Sequence, residues 1–299
     1  MYAKYGPLLI AAVALIALPF AMRMLGLTIS TASLVVILAI ATLGLNLLVG
    51  YTGLTSFGHA TWFGIGAYTA ALAQKHWLHD QIVVPILLSV VFVAVLSTVV
   101  GALILRRRGV YFSLLTLALA ALTYTIAFRW SEVTGGEDGL GGLSRGRLGP
   151  IDLDDGLAYY SFVAAIALGI LFCLLRVVRS PFGHVLMAIR ENQLRATFQG
   201  YPVERYKLAV FVLSAVVTGI GGALLGFQTY LVSAEATSVA FSGELLAMVV
   251  IGGMYHILGP ALGDVPGLSG SAILGSGRVA LILEVDTLLR EALKDGLAA

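Results

Sequence analysis

The sequence predicts an all-α membrane protein: a polytopic transmembrane helix bundle of about eight spans, with an amphipathic helix on its cytoplasmic face and a C-terminal tail that does not span. Three observations carry this. Only 11% of the 299 residues are charged and 59% are hydrophobic, against roughly 25% charged in an ordinary soluble domain; the mean hydropathy is +0.96. The few charges leave long gaps, the longest covering residues 24–74. The apolar runs are continuous and rich in Leu, Ala and Val, whereas barrel strands would alternate over about 10 residues.

About 20 apolar residues cross a bilayer as a helix, so each gap is read as one span or more. The first span is 7–22, between Lys4 and Arg23. It is read as a span rather than a cleaved leader, because no clear small-x-small site precedes the next one. The 24–74 gap is too long for one helix, and Gly50-Tyr51-Thr52-Gly53 punctuates it into spans 29–49 and 54–74. Spans 82–105, 109–129, 157–177, 208–231 and 244–262 follow from the remaining gaps.

Orientation follows from basic residues in the connecting segments. With a cytoplasmic N-terminus, one side holds Lys4, Arg106, Arg107, Arg108, Arg176, Arg179, Arg190, Arg195, Arg205 and Lys207, and the other only Arg23, Lys75, Arg129, Arg145 and Arg147. Residues 131–156 therefore form an outer loop, glycine-rich at Thr134–Gly142. Residues 178–207 form an inner loop. Within it Leu186, Met187, Ile189, Leu194, Ala196 and Phe198 recur among Arg190, Glu191, Asn192 and Arg195, an amphipathic helix over 186–200 that Gly200 and Pro202 end.

Several function classes are excluded. A net charge of +2 gives no nucleic-acid footprint. One cysteine, Cys173, makes no internal disulfide. A P-loop needs a lysine after glycine to reach phosphates, and none of Lys4, Lys75, Lys207 and Lys294 follows one. No Ser/His/Asp set or zinc motif is present. His76 and His79, beside Asp80, read as a polar cluster at the membrane boundary rather than a metal site. The polar residues around the glycine-rich break (Asn46, Thr52, Thr55, Ser56 and His59) are the pathway candidates, since irregular backbone at membrane depth is tolerated where it is buried in protein or lines a cavity. For His59 a packing role stands beside that reading. The nearby Gly50, Gly53, Gly58, Gly64 and Gly66 equally suit close helix contacts. Glu244 is placed at a helix start, where it would complement the helix dipole.

The segment Leu45–Ala60, continuing through Gly64-Ile65-Gly66-Ala67-Tyr68, resembles the permease family of branched-chain amino acid ABC importers (the LivH/LivM family). Gly109-Val110-Tyr111-Phe112, Thr134-Gly135-Gly136-Glu137-Asp138-Gly139-Leu140, and Ser180-Pro181-Phe182-Gly183 leading into Ala188-Ile189-Arg190-Glu191-Asn192 agree with it. The outer Thr-Gly-Gly loop and the length favour its LivM-type subunit. The resemblance implies a permease domain over residues 1–263 in a bacterial inner membrane, translocating branched-chain or other apolar amino acids by alternating access. It implies a second permease subunit, two cytoplasmic ATPase subunits that use the ATP, and an extracytoplasmic amino-acid-binding protein. No cofactor or metal is expected on this chain. The amphipathic segment becomes the ATPase coupling helix, with Ile189, Arg190, Glu191, Leu194, Arg195, Ala196, Phe198 and Gly200 as its candidate residues. The family's acid-Ala-Ala…Gly pattern falls at Arg195, Ala196, Thr197 and Gly200, with Arg195 where the acid is expected. A stand-alone secondary transporter or channel is the alternative, and an intramembrane enzyme built on His59 a third.

After Gly263 the resemblance implies further apolar helices. Residues 264–299 instead read as an atypical tail, truncated or altered, in which Leu281, Val285, Leu288 and Ala292 form one face of an amphipathic helix. Arg278, Glu284, Asp286, Arg290 and Glu291 keep it from spanning.

Overall fold

The computed structural model describes residues 2–107, 109–148, 151–253, 268–273 and 279–283. Six helices are long and apolar enough to cross a membrane: α1 (Tyr2–Met24), α2 (Ile29–Thr52), α4 (Val83–Ile104), α5 (Val110–Arg129), α7 (Gly156–Val178) and α10 (Val203–Thr229). Each contains one of the uncharged runs, with charges only toward the ends of α1, α5, α7 and α10. The third and eighth expected spans are shorter helices, α3 (Ala60–His76) and α11 (Val239–Gly252), of 17 and 14 residues. Residues 54–59, expected to be helical, are not. Residues 254–262 of the eighth expected span lie outside the described residues.

α2, α3 and α10 form the centre. α2 is buried along most of its length, whereas α1 presents Leu9, Ile10, Val13, Ile16 and Phe20 outward, as a lipid-facing helix would. The α3–α10 contact is close enough to require glycine. A Cβ on Gly222 would lie 1.8 Å from the Phe63 carbonyl oxygen, and one on Gly66 2.2 Å from that of Gly219. Small residues at such a crossing let backbones approach in the absence of a hydrophobic drive between membrane helices.

The two ends of the bundle separate the segments that charge bias assigned to opposite sides. One end holds residues 105–107, which follow α4, and two short helices, α8 (Pro181–Glu191) and α9 (Gln193–Phe198). The other holds a one-turn helix α6 (Ser131–Thr134) and two-residue strands: β1 (Leu140–Gly141) paired with β4 (Leu231–Val232), and β2 (Arg147–Leu148) paired with β3 (Ile151–Asp152).

The loop that follows α6 is firmly tethered. The Gln74 amide donates to the Ser144 carbonyl at 2.9 Å and accepts from its N–H at 3.0 Å. Arg145 is 5% exposed. Its guanidinium donates to the Phe227 and Gln228 carbonyls, at the negative C-terminal end of α10, and lies 4.5 Å from the Tyr159 ring centroid and 4.9 Å from that of Tyr230. Desolvation raises the Tyr230 phenol above its ordinary value, with the Arg145 charge opposing.

In the tail, β5 (Leu268–Ile273) and β6 (Val279–Leu283) pair antiparallel, with Ala272 opposite Ala280. This corrects the amphipathic-helix expectation where the two overlap: Leu281 sits in a strand, so the sequence's 3.6-residue spacing yields there to the period-2 pairing of Val279–Leu283. Val285, Leu288 and Ala292 lie outside the described residues.

Candidate functional site

Two regions gather the sequence-predicted residues: the junction between α2 and α3, and the segment from α8 to α10. At the junction α2 runs through Gly50 and stops at Gly53, whose φ of 70° ends the helix in the left-handed conformation. The chain then runs back without helical structure before α3 starts at Ala60. Non-helical backbone inside a membrane bundle needs partners from neighbouring helices, and hydroxyls supply them. Ser113 of α5 donates to the Thr55 carbonyl at 2.7 Å, Thr116 accepts from the Phe57 N–H at 3.1 Å, and Ser242 of α11 accepts from the Ala60 N–H at 3.0 Å.

His59 is fully buried at the centre of this arrangement. Its Nε2 is 2.7 Å from the Ser214 hydroxyl of α10, and its Nδ1 is 3.3 Å from the Ser56 hydroxyl. Ser214 gives its single proton to the Gly44 carbonyl of α2 at 2.5 Å, so it can only accept from His59. The imidazole is therefore the Nε2–H tautomer, with Nδ1 accepting from Ser56. His59 thus ties α3, the unwound stretch, α10 and α2 together.

The pathway candidates separate, Thr55 serving through its carbonyl as the acceptor for Ser113. Ser56 and His59 meet directly. Asn46 is fully buried within α2. Thr52 donates back to the Leu48 carbonyl of its own helix at 2.5 Å and joins no cluster.

The segment from α8 to α9 differs from the single helix expected over 186–200. Ser180 and Pro181 open α8 one turn earlier, proline occupying a first-turn position where its missing N–H costs nothing. Asn192 then breaks the helix, with φ −155° and ψ 98°, and its side chain caps α9 by accepting from the Arg195 N–H at 3.0 Å. Gly200, at φ 87°, closes α9. The Gly200 N–H bonds the Thr197 carbonyl and the Tyr201 N–H the Ala196 carbonyl, the paired pattern of a Schellman end.

The coupling candidates divide by face. Ile189 and Ala196 are 3% and 1% exposed and pack with Val185 and Val203, so they face the helix bundle itself and are not available to a partner. Arg190, another coupling candidate, donates to the Gly50 carbonyl at the end of α2. Leu194 and Phe198 are 63% and 87% exposed and, with exposed Glu191 and Arg195, form the outward surface. Lys207, not among the candidates, anchors α9 to α10 by donating to the Gln193 side chain at 2.6 Å.

Comparison with known proteins adds to this geometry. The family model described as branched-chain amino acid transport system / permease component matches residues 27–265. The high-affinity branched-chain amino acid transport system permease protein LivM of Escherichia coli (strain K12) is 30% identical over 251 residues, covering 76% of this chain and 59% of that protein. LivM of Salmonella typhimurium is 29% identical with the same coverage. The probable branched-chain amino acid transport permease protein LivH of Methanocaldococcus jannaschii is 27% identical, covering 79% of this chain and 77% of that protein. The chain thus spans about three fifths of the two enterobacterial relatives, 59% of each. No solved structure matches it.

Proposed function

The chain belongs to the permease component family of branched-chain amino acid transport systems, and on that premise we propose that it is the membrane-spanning subunit of an ATP-binding cassette importer, translocating branched-chain or other apolar amino acids by alternating access. A second permease subunit completes the membrane core. Two cytoplasmic ATPase subunits supply the ATP chemistry, one of them docking on Leu194 and Phe198 of this chain; an extracytoplasmic amino-acid-binding protein delivers substrate to the outer loop. In this reading the assembly sits in the bacterial inner membrane, and α3 and α11 with their non-helical approaches bring the number of crossings to eight.

The observation that carries the reading is the two-sided character of α8–α9. A coupling element must offer one face to the motor and be fixed to the bundle by the other. Here Phe198 and Leu194 are exposed, while Ile189, Ala196 and Arg190 bind the same segment to α10 and α2. Movement of α9 is then passed through Arg190 to the end of α2 beside the unwound stretch. In this reading Ser56 and His59 buttress the route rather than contact solute, because their polar atoms are spent on Ser214 and on each other.

The test is co-expression with its genomic neighbours, purification through a tag on this chain, and uptake in reconstituted vesicles. Two ATPase subunits and a second permease should co-purify and take up leucine with ATP. Purification as a lone chain that moves solute without ATP contradicts the reading.

A further inference from the structure

α11 begins deep in the bundle. A Cβ on Gly64 would meet Thr237 at 2.0 Å, the Phe241 ring lies 4.9 Å from that of Phe63, and Ser242 is bonded to Ala60. These contacts step down α3 toward its first residue, so α11 runs antiparallel to α3, away from the outer-loop end. The His59–Ser214–Gly44 chain sets the level of that first residue. Gly44 is eight residues before the end of α2, hence about 12 Å inside it at 1.5 Å per residue. Glu244 lies two residues beyond Ser242 and is therefore still about 9 Å inside the bundle, in the second turn of α11 rather than at its start.

The packed side of α11 is Ser242, Leu245 and Val249, and Glu244 stands partly exposed on its flank. Among the described residues it has no ion-pair or hydrogen-bond partner. The chain has no Lys or Arg at all between Lys207 and Arg278. The nearest helix ends are already capped, Ser238 accepting from the Phe241 N–H and Ser242 from the Ala60 N–H. An ionisable group at membrane depth faces protein or water and needs a partner. Its complement has to come from outside the described chain.

We propose that Glu244 receives the α-ammonium group of the amino acid in transit; this rests on the import reading above. An apolar amino acid crosses as a zwitterion. Its side chain is at home among aliphatic residues, but its ammonium loses water in the pathway and needs an anionic acceptor, because a buried charge is tolerated only when paired. A carboxylate gives a charge-assisted hydrogen bond to the group common to all amino acids, leaving side-chain selection elsewhere.

The assembled importer in vesicles, with saturating leucine-loaded binding protein, tests this through two variants. Glu244→Gln should co-purify with all partners and keep stimulated ATP hydrolysis, yet lower leucine uptake per ATP about tenfold, as loss of one charged hydrogen bond predicts. Glu244→Asp should recover at least half of the loss. Wild-type uptake with an unchanged Glu244→Gln variant overturns this proposal alone. So does loss of the second permease subunit from both variants, which makes the carboxylate an intersubunit ion pair, and so does an Asp variant as impaired as Gln. No ATP-dependent uptake by the wild-type assembly overturns the import reading and this proposal with it.

Discussion

Arg190 of α8 donates to the Gly50 carbonyl near the end of α2, joining the segment that faces outward through Phe198 to the helix that precedes the unwound stretch. The last carbonyls of a helix carry its negative dipole end, which favours a cation there. The contact is a mechanical strut between two elements that the sequence separates by 140 residues. Arg190→Ala should leave the ATPase subunits bound but lower uptake per ATP hydrolysed by at least about fivefold, a coupling loss of about 1 kcal/mol. Hydrolysis and uptake measured on the same vesicles check this; a proportional fall in both would contradict it.

Phe198→Ala should behave in the opposite way. An exposed aromatic at an interface centre costs about 2 kcal/mol or more when truncated. ATPase co-purification should therefore drop by more than about tenfold, whereas Glu191→Ala, at the exposed rim, changes it little. Equal effects of the two substitutions would show that the α9 surface is not the docking anchor.

Gly200→Val should uncouple the assembly through α9 itself. Gly200 holds φ 87° with open space around its α-carbon, so the penalty is backbone strain rather than collision, roughly 1–2 kcal/mol. Gly200→Asn, which tolerates the left-handed region, should retain most coupling. A valine variant with normal uptake per ATP would rule the cap out as a requirement.

Ser214→Ala removes the shared hydroxyl between His59 and Gly44. It leaves the buried His59 Nε2–H unmatched, a cost of about 1–3 kcal/mol, while the Gly44 carbonyl keeps its helical partner within α2. The melting temperature in detergent should fall by several degrees without loss of α3 helicity. An unchanged melting temperature would mean the hydrogen-bond chain does not brace the bundle.

Sidedness can be read with single cysteines in a Cys173→Ser background. Glu137→Cys and Gln199→Cys occupy exposed positions at opposite ends of the bundle. An impermeant maleimide added outside intact cells should label Glu137→Cys alone. Labelling of both from outside would reverse the assignment of one loop.

Much of the architecture is legible because charge is excluded from lipid: each of the six long helices contains an uncharged run, with charges only toward the ends of α1, α5, α7 and α10. What the sequence hides are long-range substitutes for helical hydrogen bonds. Residues 54–59 look as apolar as a span, and nothing local shows that Ser113, Thr116 and Ser242 wait to receive their backbone. His59 stands out as an ionisable group, but its partner Ser214 lies 155 residues away, so bracing and lining could not be told apart. In α8–α9 the apolar stripe is visible, but which side of it faces inward depends on Asn192, whose capping side chain redirects the helix. Glu244 was visible only as a charge beside a span. Its depth follows from α11 starting inside the bundle, which a hydropathy gap cannot reveal.

The measurement that bears most directly on the central claim is ATP-dependent leucine uptake in vesicles holding this chain with its co-purified partners and a loaded binding protein. Uptake should require ATP inside the compartment where residues 178–207 are exposed, and should cease when the ATPase subunits are stripped away. Uptake by this chain alone, driven by an ion gradient and indifferent to ATP, would contradict the account.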